Sequence, residues 1–411
     1  MRFATLLYAL VALTLSGSKG YGYSVLTHEA IIDSLWESGA RQAGFKQAIL
    51  RKFPQTTSDQ LIEAHAYAYG GSIIQDVGYY PFGSKFFSDL VHYARSGHFV
   101  ESLLAEAQTP DEYAFALGAL AHYAADNDGH PMAVNKAVPM LYPRMRQKYG
   151  NVVTYAENPI DHIRTEFGFD VLQVARGSYA PKSYHDFIGF KVSKPLLEKA
   201  FEATYGLHLT DVFGALDLTL GTYRRTVSEL IPEFTKAAWA AKKSEIARAE
   251  PGITRKKFLY TLSRSSYEKD WGKSYEKPGL GARFIAFLFK IIPKAGPFRS
   301  LGFKLPTAPA ELLFQKSFEA SVDNTRQNLG SLEHGTLKLA DLDFDTGKPA
   351  HFEEYSLADK TYAKLLDKFA ARKFAGLMPD LRANILAFYS GARRLSDPKT
   401  QSELDALRAA A

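Results

Sequence analysis

The stretch TPDEYAFALGALAHYAADNDGH, residues 109–130, decides the fold. It opens on Thr109-Pro110-Asp111-Glu112, a capping Thr set three residues ahead of a Glu, with Pro at the first helical position, where a missing N–H is harmless. An Ala-, Leu- and Tyr-rich run follows, so the segment predicts a helix to about Asp126. Similar signals recur on either side. Thr57-Ser58-Asp59-Gln60 opens a helix to about Tyr69 that Gly70-Gly71 stops, and Asn158-Pro159-Ile160-Asp161 opens another. Between them Ser72 to Gly83, rich in Gly, Tyr and Pro, reads as loop. No stretch alternates apolar and polar residues long enough to demand a sheet, and no fixed period repeats. The expected fold is an all-α, multi-helix bundle.

Length and composition allow more than one domain. At roughly 150 residues per domain, 411 residues predict two or three, each able to build a core. Hydrophobic residues at 46% and aromatics at 13% supply enough apolar surface to exclude wholesale disorder. A net charge of +6 is a mild excess that favours anionic surfaces without making the chain a nucleic-acid binder. There is no cysteine, which removes thiolate metal sites, disulfides and cysteine nucleophiles together. Any metal must be held by His and carboxylates.

The N-terminus places Met-Arg-Phe before an apolar run from Ala4 to Leu15 and a small-residue segment from Ser16 to Gly20. That order predicts a secretory signal over residues 1–22 and a secreted or periplasmic protein, the rival being an N-terminal core helix. Composition shifts again past about Ala249, where Glu250-Pro251-Gly252 breaks the helical pattern. We therefore expect one unit over 23–248 and a mainly helical C-terminal extension over 249–411, with helices clearest from Ser356 to Phe369 and from Asp380 to Phe388. The apolar stretch 283–304, interleaved with Arg283, Lys290, Lys294, Arg299 and Lys304, reads equally as a peripheral membrane contact or a buried helix with a basic edge.

The chemistry concentrates where His and carboxylates recur at helical spacing. His122 and Asp126 are four apart, as are Asp126 and His130, and again His162 and Glu166. Residues at i and i+4 share one helix face, so each pair can converge on one cation. A carboxylate ionised on an apolar face needs such a partner. His65, His98, His185, His208, His334 and His351 lack an acid at matching spacing and read as structural or surface residues. Tyr67, Tyr69, Tyr79 and Tyr80 read mainly as core, with a headgroup- or base-lining role as the alternative.

Together with Tyr23-Ser-Val-Leu-Thr-His28, Asp76 and His92, these motifs resemble the zinc-dependent phospholipase C family, whose metal framework also belongs to fungal zinc nucleases specific for single strands. The resemblance spans residues 23–170 by motif and implies about three zinc ions. One would lie on Asp76, His92, His122 and Asp126. A second would lie on His28, a bridging Asp126 and the amine and carbonyl of a mature N-terminal Tyr23. The third would lie on His130, His162 and Glu166. Asp76 is the candidate to orient or deprotonate the nucleophile, and Asp128 the competing acid, expected outside the ligand sphere. Only three residues separate Asp126 from His130, a spacing more like the catalytic domain of glycosylphosphatidylinositol-specific phospholipase D. The expected activity is hydrolysis of phospholipids by metal-activated water. Alternatives are nuclease action on single-stranded nucleic acid, phospholipase D-type cleavage, and a zinc-structured membrane-binding module without catalysis.

Overall fold

The structure is a computed structural model that describes residues 25–37, 43–80, 82–176, 190–225, 239, 242–254, 302–391 and 394–409. The signal segment, Tyr23, His185 and all but the end of the basic apolar stretch lie outside the described residues. In chain order come α1 (Val25–Trp36), α2 (Phe45–Lys52), α3 (Ser58–Gly71), a 3-10 turn (Ile74–Tyr79), α4 (Lys85–Tyr93), α5 (Ser96–Glu106) and α6 (Pro110–Gly129). A π turn (His130–Val134) leads directly into α7 (Asn135–Leu141), followed by α8 (Pro143–Tyr149), α9 (Pro159–Arg176), α10 (Lys194–Tyr205) and α11 (Leu216–Arg225). Beyond residue 301 lie α12 (Ala308–Glu333), a small hairpin of β1 (Leu342–Asp343) and β2 (Lys348–Pro349), α13 (Ser356–Ala370), α14 (Pro379–Phe388) and α15 (Pro398–Ala409). Among the described residues the protein is all-α apart from that hairpin, and no helix there is long and apolar enough to cross a membrane.

The start signals act as their chemistry requires. Thr57 accepts from the Gln60 N–H while the Gln60 side chain accepts from the Thr57 N–H, and Thr109 accepts from the Glu112 N–H. Glu112 departs from the expected box, since its carboxylate takes the Gln108 N–H instead. Helix α6 is the axis of the bundle, buried on every side from Tyr113 to Asp126. Its neighbour α3 approaches closely because both helices are small at the crossing. A Cβ added at Gly118 would stand 2.1 Å from the Ala68 carbonyl oxygen, and one at Gly71 would stand 1.9 Å from that of Phe115. On another flank α12 presents Ser317, Ser321 and Thr325, all buried at i+4 spacing, whose hydroxyls bond back to carbonyls of their own helix.

One hydrophobic cluster runs from Val25 through Leu120 and Phe201 to Phe344, Leu366 and Leu407. Residues from 302 onward therefore enter the same core as those before 225. Because the α3–α6 crossing leaves no room for a side chain, Gly118→Ala is expected to cost about 1–3 kcal/mol, the usual penalty of overpacking. Urea unfolding of the variant beside the parent would measure it.

Candidate metal centre

Helix α6 carries His122 and Asp126 one turn apart, and its last turn passes into the π turn at His130, where Pro131 cannot supply an N–H. Wide turns of this kind inside helices often mark functional sites. Four other elements bring partners to that face: α1 brings His28, the 3-10 turn Asp76, α4 His92 and α9 both His162 and Glu166. All eight side chains are nearly inaccessible to solvent.

They stand in three groups whose ligand atoms lie within 4.8 Å of one another: His28, His122 and Asp126; Asp76, His92 and His122; His130, His162 and Glu166. Asp126 is the hub. Its carboxylate is 3.0 Å from His122 Nε2, 3.4 Å from His28 Nε2, 3.5 Å from His92 Nε2 and 3.6 Å from His130 Nε2. Asp76 Oδ1 is 3.4 Å from His92 Nε2, and Glu166 Oε1 is 2.6 Å from His162 Nδ1. The imidazoles stack in pairs, His28 on His122 at 4.4 Å and His130 on His162 at 5.0 Å between centroids.

Outer contacts fix which nitrogen of each ring is free. His92 Nδ1 donates to the Ser88 carbonyl at 2.7 Å, and His122 Nδ1 to the Ser72 carbonyl at 2.9 Å, so both direct Nε2 at the carboxylates. His162 is turned the other way, its Nε2 donating to Asn135 Oδ1 at 2.9 Å and its Nδ1 facing Glu166. This is how ligating histidines are held, one N–H anchored so that the other nitrogen keeps its lone pair for a metal. Among the described residues, His92 Nε2, His122 Nε2, His162 Nδ1 and both oxygens of Asp126 and of Glu166 have no hydrogen-bond partner. Buried polar atoms are rarely left so, and a cation at each of the three groups would satisfy them.

Protonation is pulled in opposite directions. Burial, with His122 alongside, pushes the His28 ring down to about 3. At His92 burial also opposes the charge, but the Asp126 and Asp76 carboxylates outweigh it and lift the ring to about 10. Burial opposes ionisation of Asp126 too, yet His122 and His130 hold it well below the usual carboxylate range. Glu166 is driven well above that range by burial and then by Asp126 and Asp76. Three carboxylates packed this closely need more positive charge than imidazoles supply.

Residues 27–215 match the family described as zinc dependent phospholipase C. Across that segment the chain is similar to the zinc-dependent phospholipase C family. No curated protein and no solved structure matched the chain. The matched segment contains all eight side chains and ends before α12. Asp128 stays out of the groups and accepts from Asn324 Nδ2 at 2.8 Å. Of the histidines read as structural, His65, His98, His208, His334 and His351 join none of the three groups; His65 stacks on Trp36 at 3.8 Å, and His98 pairs with Asp341 at the surface.

Other contributors carried little or no legible signal. Tyr155 sets its ring edge-on to His162 at 5.7 Å, with a hydroxyl that has no hydrogen-bond partner among the described residues. Tyr79, read mainly as core, lies beside His92 at 5.8 Å and beside Tyr155 at 6.1 Å. Asp170, one turn beyond Glu166, accepts from the Leu26 N–H at 3.2 Å and the Thr27 hydroxyl at 2.7 Å, clamping the first turn of α1 and with it His28. Asn135 is placed against His162 by the π turn.

Proposed function

We propose that the protein is an exported zinc-dependent phosphodiesterase that cleaves phospholipids on the glycerol side of the phosphate. The observation that carries this reading is Asp126, a buried carboxylate facing histidines of all three groups. In this reading Asp76, His92, His122 and Asp126 would hold one zinc, His28 and Asp126 with the terminus at Tyr23 a second, and His130, His162 and Glu166 a third. Zinc ions in such a site would supply Lewis acidity and lower the pKa of water to about 7.

The chain's residues do the rest. Asp76 orients the attacking water and accepts its proton. Asp126 keeps the histidine rings on a common centre, and the Ser72, Ser88 and Asn135 oxygens keep those rings from rotating. Tyr79 and Tyr155 border the imidazoles and exclude bulk water. Water adds to phosphorus, the bond to the glycerol oxygen breaks, and that oxygen leaves as an alcohol after taking a proton. About three doubly charged ions outweigh three carboxylates, so the loaded site favours an anionic phosphodiester.

The purified protein is expected to contain about three zinc ions and to release diacylglycerol and a phosphorylated headgroup from phosphatidylcholine or phosphatidylinositol. Elemental analysis and product identification, with single-stranded DNA assayed in parallel, check both. Phosphatidic acid as product would assign the other phosphate bond. Preferential cleavage of DNA would assign the substrate to nucleic acid, and zinc without any hydrolysis would make the metals structural.

A further inference from the structure

Asp345 lies far beyond the segment matched to the family, on the turn between β1 and β2, yet it arrives at the third group of ligands. Its Oδ1 stands 3.7 Å from His130 Nδ1, with both side chains almost wholly buried. Its Oδ2 accepts from the Tyr93 hydroxyl at 2.9 Å and from the Tyr355 hydroxyl. The two phenols thus fix one oxygen and leave the other to face the imidazole. The main chain of the same residue also contributes, because Asn135 Nδ2 donates to the Asp345 carbonyl at 2.7 Å while Asn135 Oδ1 accepts from His162 Nε2 at 2.9 Å. Both histidines of the group formed with Glu166 therefore lean on Asp345, one through its carboxylate and one through a relayed amide. Next to it, Phe344 donates its N–H to the His92 carbonyl at 3.2 Å and sets its ring 5.1 Å from that of His92, which fixes the height of the turn above the centre.

We infer that Asp345 is a positioning residue for the third metal ion, supplied by the C-terminal part of the chain to a site otherwise built from the family segment; the inference rests on the zinc reading above. A carboxylate facing Nδ1 selects the imidazole tautomer with its proton there, and so presents Nε2, the nitrogen that already points toward Asp126. It also makes the ring a stronger donor to a metal. The 3.7 Å separation is longer than a hydrogen bond, and an approach of about an ångström converts the contact into one.

The test uses the full chain. Asp345→Asn keeps the side chain's size, an oxygen for the two phenols and the carbonyl for Asn135, and removes only the charge. Chelator competition is expected to show one zinc held about 10–100-fold more weakly, with the remaining zinc affinities unchanged. The melting temperature of the metal-free protein is expected to stay at the parent value. In the zinc-loaded parent, ring 15N spectra of His130 are expected to place the proton on Nδ1, a readout that needs no variant. Parent-like affinity for every zinc in Asp345→Asn would overturn the inference, as would a proton on Nε2 of His130. A metal-free variant that melts as far below its parent as the loaded one would reduce Asp345 to a purely structural contact. A parent protein that binds no zinc at His130, His162 and Glu166 would instead overturn the reading of the site itself.

Discussion

Asp126→Asn is expected to abolish hydrolysis and to lower the zinc content from about three ions to one. Asparagine has the size of aspartate, so the packing of α6 against α3 is left alone and the effect isolates the charge. Among the described residues Asp126 is the only carboxylate grouped with His28 and His122, and it also faces His92 beside Asp76. Its loss leaves imidazoles and one acid to neutralise two doubly charged ions. The group of His130, His162 and Glu166 contains its own carboxylate and is expected to keep its metal. Metal-derived stabilisation of a transition state is worth several kcal/mol, and about 1.36 kcal/mol is tenfold in rate, so the loss in kcat/KM should be on the order of a thousandfold or more. Metal-binding free energy is also folding free energy, so the zinc-loaded variant should melt below its zinc-loaded parent, with a much smaller gap once both are stripped by chelator. Elemental analysis, kinetics and melts on the same samples check the three parts. Full zinc with near-parent rates would show that Asp126 does not bridge.

The difference between what could be read along the chain and what could not follows from the range of the interactions. Helix starts at Thr57, Thr109 and Asn158 are local, since a capping side chain answers an N–H within three residues. The pairs His122/Asp126 and His162/Glu166 are equally local, because the helix itself puts i and i+4 on one face. The grouping of His28, Asp76 and His92 with them followed from the family resemblance, and the structure brings those side chains together. Tyr23 lies outside the described residues. The contributions of Asn135, Tyr155, Asp170 and Asp345 depend on contacts made in three dimensions. Asp170 meets Leu26 across 144 positions, and Asn135 meets Asp345 across 210. Nor did Ser72 to Gly83 betray the 3-10 turn that carries Asp76, since its Gly and Tyr content suits a loop as well.

Removing everything after residue 254 is expected to prevent folding rather than to yield a smaller enzyme. Judged by ligand positions alone, with all eight side chains before residue 170, the C-terminal part looks dispensable for cleaving a short soluble phosphodiester. Packing argues the reverse. Helix α12 lays Phe314, Ser317, Ser321 and Thr325 into the bundle, and its removal would expose a long flank of α6, the helix that carries His122 and Asp126. Phe344, fully buried between His92, His122 and Tyr123, would leave a cavity against the centre. Tyr355 closes on Asp345 and takes the Ala156 N–H at 3.1 Å, so the segment leading into α9 would also lose a tether. A graded version is Phe344→Ala in the full chain, for which emptying a buried aromatic site costs about 3–5 kcal/mol. That single change should lower the denaturant midpoint steeply and weaken zinc retention, since the ring braces two of the rings that face Asp126. The truncated chain should then show no cooperative melt and no stoichiometric zinc, by calorimetry and elemental analysis. A soluble truncation that melts cooperatively and holds about three zinc ions would show that the chain up to residue 254 contains the complete catalytic unit, and that the turn at Asp343–Asp345 only rests on its surface.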